Sequence, residues 1–404
     1  MNPYLKKLYE LSLAPSRIII GLMSGTSLDG LDVALCQFEG SGLATKIKVL
    51  QFKTIPYPST FKEELKSISF KEQVDLQKLT LLNAYIGTYH AELVLQCLRE
   101  WGVQVEEVDV IASHGQTIFH APITKHQKSC WPNATLQIGD GDHLAVKTGV
   151  ITLSDFRQKH IAAGGEGAPL AVYGDYLIFS SPDENRILLN IGGIANFTYL
   201  PSGKSADQVF STDVGPGNTM MDQYVQLHYP DLAYDKDALL ASAGQVHPEL
   251  LAALVDEPFF DLPFPKTTGP ELFNLQYLDQ ALAKLGDKPK HEDVLATLCE
   301  YTATTIAAAV ERAMRSLNLN QDQTLAFEIY ISGGGMHNPL LLQKLEELLH
   351  KKIRNTSELD VDPDAKEAVL FALLANECIT GGRLDFGSRP GLPSVLMGKI
   401  SLPA

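Results

Sequence analysis

The chain has 404 residues, 45% hydrophobic and 20% charged, enough for two domains or one large one with a full core. Its formal net charge of −15 opposes a phosphate-backbone partner, so no nucleic acid is expected, although local N–H groups can still hold a small anion. No apolar run approaches the ~18 residues of a membrane helix, and "MNPYLKKLYELSLAPSR" lacks a signal-peptide core, so the reading is a soluble, cytoplasmic chain with no membrane partner.

Taken in order, Tyr4, Leu5, Leu8, Tyr9 and Leu11 fit a short amphipathic helix. "IIIGLMSGTSLDGLDVALCQF" (Ile18–Phe38) reads as a hairpin, and "TKIKVLQFKTIPY" continues it as a third strand. A long helix follows over about Leu76–Trp101, with Leu79, Leu82, Ile86, Tyr89, Leu93 and Cys97 on one side. "VDVIASHGQTIFH" is a buried strand with a polar end, and "ATLQIGDGDHLAVKTGVITLSDFR" supplies strands around a short helix. The pattern then restarts, about 170 residues on: "NRILLNIGGIANFTYLP" is strand, glycine turn and strand. "DQVFSTDVGPGNTMMDQYVQLH" is strand, turn and helix, and a helical, loop-rich stretch leads to a helix at about Asp293–Leu317. "TLAFEIYISGGGMHNPLLLQKLEELL" is strand, triple-glycine turn and helix; "KEAVLFALLANECITG" is a helix stopped by glycine. A strand–turn–strand unit followed by α/β elements thus occurs twice, which implies two layered lobes with a cleft for a ligand between them.

The turns carry the chemistry. Gly25 and Gly30 in the first hairpin, and Gly192 and Gly193 in the second, permit close backbone approach, and such N–H groups bind phosphate. Thr26 and Ser27 add hydroxyl donors. Asp29 is a poor neighbour for phosphate unless a cation intervenes, which points to Mg2+. Gly333, Gly334 and Gly335 would let a flat ring lie on bare backbone; neither a Walker A loop nor GxGxxG is present. The five cysteines, Cys36, Cys97, Cys130, Cys299 and Cys378, form no CxxC pair and read as reduced thiols. His114, His120, His143 and His160 are too scattered for a zinc site.

The segments "GLMSGTSLDGLDVAL", "ASHGQTIFH", "LQIGDGDHLAVKTG", "DFRQKHIAAGGEGAPL", "LLNIGGIANFTYL", "DVGPGNTMMD", "KTTGPELFN", "ISGGGMHNP" and "KEAVLFALLA" follow one another in a distinctive order. In this the chain resembles the anhydro-N-acetylmuramic acid kinases, from about Gly21 to the C-terminus. The resemblance implies a two-lobed ribonuclease H-like ATPase fold of the actin, Hsp70 and hexokinase type. It implies ATP and Mg2+ as cofactors, an anhydro amino sugar as substrate and a homodimer. One lobe would be residues 1–160 plus 385–404 and the other 161–384. Gly25, Thr26, Ser27, Leu28, Asp29, Gly30, Leu31 and Asp32 would form the first phosphate loop. Gly192 and Gly193 would form the second, and Gly333–Gly335 would face adenosine. The family reaction phosphorylates O6 while water opens the 1,6-anhydro bridge at C1, in peptidoglycan recycling.

Such a reaction needs a carboxylate to take the proton of water. Asp213, at the end of a buried strand beside Gly-Pro-Gly, is either that base or a turn or N-cap carboxylate; the resemblance makes it the base. Glu367, in the first turn of its helix, is either a dipole partner or, by resemblance, a sugar contact. Asp155 and Arg157 either pair with each other or bind hydroxyls and the lactyl carboxylate. His114 and Gln116 are structural or touch sugar, and Lys266 approaches phosphate or is a solvated loop charge. Three departures from the family pattern stand out: Gln158 and His160 where relatives carry Arg and Asp, and Pro270 where they carry Arg. A kinase for another 1,6-anhydro sugar such as levoglucosan is the enzymatic alternative. A non-enzymatic ATP-driven switch or filament and a sugar-responsive regulator are the others.

Overall fold

The computed structural model describes residues 1–25, 28–204, 206–316, 327–382, 385–386 and 391–404. Twelve strands run along the described chain: β1 (Ser16–Ser24), β2 (Gly30–Glu39), β3 (Lys46–Pro56), β4 (Val110–Ala121), β5 (Ala134–Ile138), β6 (Ile151–Ser154), β7 (Asn185–Ile191), β8 (Ile194–Leu200), β9 (Phe210–Pro216), β10 (Phe327–Ser332), β11 (Ile353–Asn355) and β12 (Lys399–Ser401). Two compact units result, Met1–Ile178 with Ala365–Ala404, and Phe179–Asp364. Residues 161–178 and 365–382 therefore belong with the first unit, where the sequence reading put them in the second.

In the first unit the sheet order is β3-β2-β1-β4-β6-β12, with β5 paired to β4. β2 runs antiparallel to β1 and β3, whereas β4 and β6 run parallel to β1. In the second unit the order is β9-β8-β7-β10-β11, with the same pattern of directions. Numbered within its unit, the second sheet reads 3-2-1-4-5, and the first follows the same order once β5, which pairs on β4, and the edge strand β12 are set aside. The fold is the two-unit ribonuclease H-like one, each half an antiparallel meander extended by parallel crossovers.

The crossovers explain why the duplication shows in the sequence. A parallel step needs a long connection, and in both units a 26-residue helix provides it, Leu76–Trp101 before β4 and His291–Ser316 before β10. The first begins with the Asp75 carboxylate accepting the Lys78 N–H at 3.0 Å and ends at Gly102, which takes a φ of 69°. Its buried side carries Leu82, Ile86, Leu93 and Cys97, with Leu79 and Tyr89 half-buried. β1 is covered on both faces, hence its unbroken Ile18–Ile20 run. One face receives the Lys366–Thr380 helix, in which every residue from Ala368 to Glu377 is buried. That packing is why the helix joins the first unit. No single described helix is long and apolar enough to cross a membrane.

Candidate active site

In the first hairpin turn, Leu28 adopts φ 61° and donates its N–H to the Gly25 carbonyl at 3.3 Å, while its side chain enters the core. The Asp29 carbonyl accepts the Tyr57 N–H at 3.0 Å, and its side chain is exposed. Gly30, Leu31 and Asp32 lie in β2 rather than in the loop. Leu31 is a core side chain, and Asp32 accepts the Thr54 hydroxyl at 2.6 Å. Gly30 is glycine because a Cβ there would sit 2.3 Å from the Ile55 carbonyl oxygen, so the sheet requires it. Thr26 and Ser27 lie outside the described residues.

A buried polar chain holds this turn, and most of its members escaped the sequence reading. The Gln116 amide donates to the Gly25 carbonyl at 3.2 Å and accepts the Ser24 hydroxyl at 2.5 Å. Ser24 accepts the Tyr57 hydroxyl at 2.9 Å, and Tyr57 meets His90 Nε2 at 2.8 Å. Gln116 therefore spends both ends of its amide on the turn. The one sequence signal was a histidine, His90, on the apolar side of a helix.

His114 and Arg157 form a second group in this unit. Arg157 Nε donates to His114 Nε2 at 2.9 Å, so His114 carries its proton on Nδ1 and donates it to the Gly115 carbonyl, also 2.9 Å away. Burial, and then the neighbouring guanidinium, push this imidazole down to about 3, so it stays neutral. Arg157 Nη1 donates to the Gly167 carbonyl at 3.0 Å. Burial pulls Arg157 down to about 10, and Glu367 partly restores it. Glu367 opens the 366–380 helix with surface still open to water; desolvation raises its carboxyl, and Arg157 and then Lys366 pull it back. Asp155 does not pair with Arg157. It bonds the Lys399 ammonium on β12, next to β6 in the sheet.

In the second unit the glycine turns pack on each other. The Asn218 N–H donates to the Gly192 carbonyl at 2.8 Å, and the Gly217 N–H to the Gly193 carbonyl at 3.0 Å. A Cβ on Gly217 would lie 2.2 Å from the Gly192 oxygen, and one on Gly335 would lie 2.4 Å from Ile191 Cγ2. At Gly192 and Gly334 a Cβ would meet its nearest neighbours at 3.8 and 3.6 Å, so packing does not demand glycine there.

Asp213 lies within β9 and not at its end; the strand continues to Pro216. A register shift between Ala195 and Asn196 on β8 falls opposite it. It does not cap the helix that follows, which starts after Asn218. Its carboxylate accepts one backbone N–H, from Thr268 at 2.9 Å, and its own N–H goes to the Lys266 carbonyl at 3.0 Å. Burial pushes the carboxyl up to about 6; the Thr268 N–H opposes this and Glu271 adds to it. Asp222, which the sequence reading missed, is also pushed up to about 6 by burial, in the first turn of the Thr219–His228 helix. Lys266 is not a solvated loop charge. It is 7% exposed, with its ammonium donating to the Phe259 and Phe260 carbonyls at 2.9 and 3.1 Å.

The family model for anhydro-N-acetylmuramic acid kinase matches residues 17–385. The chain belongs to the anhydro-N-acetylmuramic acid kinase family. It is 56% identical over 407 residues to the anhydro-N-acetylmuramic acid kinase of Pseudoalteromonas atlantica, covering 100% of both chains. It is 37% identical to that of Caldanaerobacter subterraneus subsp. tengcongensis, over 96% of this chain and 97% of the relative. Among solved structures, the activator of the 2-hydroxyisocaproyl-CoA dehydratase from Clostridium difficile is similar at 12% identity and a TM-score of 0.40, over 90% of this chain and 96% of that one.

His160, Gln158 and Pro270 each bond to another part of this chain. His160 is fully buried, accepts the Gly167 N–H at 2.9 Å and stands edge-on to Tyr173. Gln158 donates to the Thr135 carbonyl at 2.6 Å. Pro270 is exposed, and its carbonyl accepts the Asn274 amide at 2.9 Å.

Proposed function

We propose that this chain converts 1,6-anhydro-N-acetylmuramic acid and ATP, with water, to N-acetylmuramic acid 6-phosphate and ADP, a step in cell-wall recycling. The observation that carries the reading is Asp213, a half-buried carboxyl raised to about 6 and held by one backbone donor. Such a group is ionised at neutral pH yet basic enough to take a proton from water. Family membership fixes the class of reaction.

In this reading water attacks C1 and gives its proton to the Asp213 carboxylate. The C1–O6 bond breaks, O6 bonds to the γ-phosphorus, and the bond to the ADP oxygen breaks. Arg157, buried and already oriented by His114 and Gly167, is assigned to the lactyl carboxylate, and Glu367 beside it to sugar hydroxyls. Asp155 is assigned to the same sugar, in competition with Lys399. His114 is a neutral brace for Arg157, and Gln116 acts on the first phosphate turn rather than on sugar.

The first hairpin turn, Gly25–Asp29, and the Gly192–Gly193 turn are assigned to phosphate, and Gly333–Gly335 to the adenosine. Gly192 and Gly334 support this, because packing does not explain their lack of a side chain. Mg2+ would neutralise phosphate charge. Bound through phosphates and water, it needs one or two carboxylates, and exposed Asp29 at the turn suits that role. Exposed Leu76, Leu81 and Tyr85 on the Leu76–Trp101 helix are the apolar surface assigned to a homodimer, and the reading places the enzyme in the cytoplasm.

Turnover with Mg-ATP in water enriched in oxygen-18 tests the reaction. The expected product is the 6-phosphate with label at C1. Product without label at C1 would rule out attack by water. Turnover of levoglucosan in place of the amino sugar would rule out the substrate.

A further inference from the structure

Lys266 is a buried cation with no carboxylate in ion-pair range among the described residues. Besides the two carbonyls it bonds, its ammonium lies 4.3 Å from the ring centre of Phe259, 5.3 Å from that of Phe264 and 5.8 Å from that of Phe260. Burying an ammonium without a counter-ion is costly, and the aromatic faces offset only part of that. From the His291–Ser316 helix, Arg312 adds a second positive charge. It bonds the Phe260, Asp261 and Leu262 carbonyls and lies over the Phe264 ring at 5.2 Å. Asp261 is the acidic group that eases this repulsion, and burial still leaves Lys266 lowered to about 8. Two cations thus fasten the 259–262 turn, but only Lys266 also belongs to the segment that touches Asp213.

That segment is tied to β9 by main-chain atoms. The Lys266 N–H donates to the Thr212 hydroxyl at 3.0 Å, and the Lys266 carbonyl accepts the Asp213 N–H at 3.0 Å. Two residues later, the Thr268 N–H reaches the Asp213 carboxylate. We propose that Lys266 is a positioning residue for Asp213: its ammonium anchors the 266–268 strap to the 259–260 carbonyls, and the strap sets the Asp213 carboxylate. The inference rests on the reading of Asp213 as the base. The strap supplies the only hydrogen bond to this carboxylate among the described residues, so loosening it removes the influence that lowers the carboxyl, with burial and then Glu271 left to raise it.

The test is Lys266→Met, which retains the stem inside the phenylalanine cage and removes the donors. Turnover should fall roughly 10-fold or more, as expected of a displaced catalytic group, with the KM values for sugar and ATP little changed. The acid limb of kcat/KM should move to higher pH. Lys266→Arg, which retains donors and charge, should return the limb towards its original position. Thr212→Val removes the acceptor of the Lys266 N–H without touching the ammonium and should shift the limb the same way, which keeps the test open if Lys266→Met does not fold. A lower melting temperature with an unmoved limb and unchanged kcat per folded enzyme in Lys266→Met, or in Thr212→Val if Lys266→Met does not fold, would overturn the proposal. Asp213→Asn separates the two ideas. Normal turnover in that variant removes the base and the strap's role together. Lost turnover in it, beside an unmoved limb in the strap variants, removes the strap's role alone.

Discussion

The two glycine hairpins occupy the same place in two sheets of the same topology, yet they are held by different chemistry. The turn after β1 is braced by side chains drawn from three distant elements: Gln116 on β4, Tyr57 after β3 and His90 on the Leu76–Trp101 helix. The turn after β7 is braced by backbone, with the start of the Thr219–His228 helix docked on the Gly192 and Gly193 carbonyls. A side-chain brace is vulnerable to loss of a partner, because the atom left behind is buried and unpaired. A backbone brace is vulnerable to gain of a Cβ, because the main chains already touch.

Substitutions in each turn can break that contrast. The largest effect is expected at Gly217→Ala, whose Cβ would lie 2.2 Å from the Gly192 oxygen. Overpacking there should cost about 1–3 kcal/mol in urea denaturation and raise the KM for ATP by more than it raises that for sugar. Unchanged stability would show that the second turn yields more easily than its backbone contacts imply. Gln116→Ala takes one hydrogen bond each from the Ser24 hydroxyl and the Gly25 carbonyl, which retain only Tyr57 and the Leu28 N–H among the described partners. The stability cost should be about 1–2 kcal/mol, again with the KM for ATP affected before that for sugar. An effect on sugar alone would return Gln116 to the sugar site. The smallest stability effect is expected at Gly192→Ala, within about 0.5 kcal/mol. Its weakened ATP binding should nonetheless be measurable by calorimetry; unaltered binding would take Gly192 out of the nucleotide site.

The same contrast explains what could be read in advance. The doubled strand–turn–strand pattern was legible because glycine turns, apolar strands and long helices recur along the chain. The second turn was legible because its elements carry glycines, one of which, Gly217, the backbone brace demands. The first was legible only as a turn, since Tyr57, His90 and Gln116 meet through tertiary structure that no local spacing encodes. The burial of Lys266 was missed for a similar reason. Its loop setting suggests exposure, whereas three phenylalanines and two carbonyls enclose it. For Asp155 and Arg157, two residues apart, the spacing left a mutual ion pair and substrate binding both open. The left-handed backbone at Asp155, φ 55°, accompanies a different outcome, with Lys399 and His114 as their separate partners.

Two carboxyls in the second unit, Asp213 and Asp222, are both pushed up to about 6, so the account depends on which of them governs turnover. A base must be ionised, so activity should fall as pH drops through the folded-state value and level off above it. The direct measurement is kcat/KM for the anhydro sugar from pH 4.5 to 9 in the parent enzyme, Asp213→Asn and Asp222→Asn. The account predicts an acid limb near pH 6 in the parent, the same limb in Asp222→Asn, and turnover lowered about 10²- to 10⁴-fold without that limb in Asp213→Asn. A limb that survives in Asp213→Asn and vanishes in Asp222→Asn would contradict it.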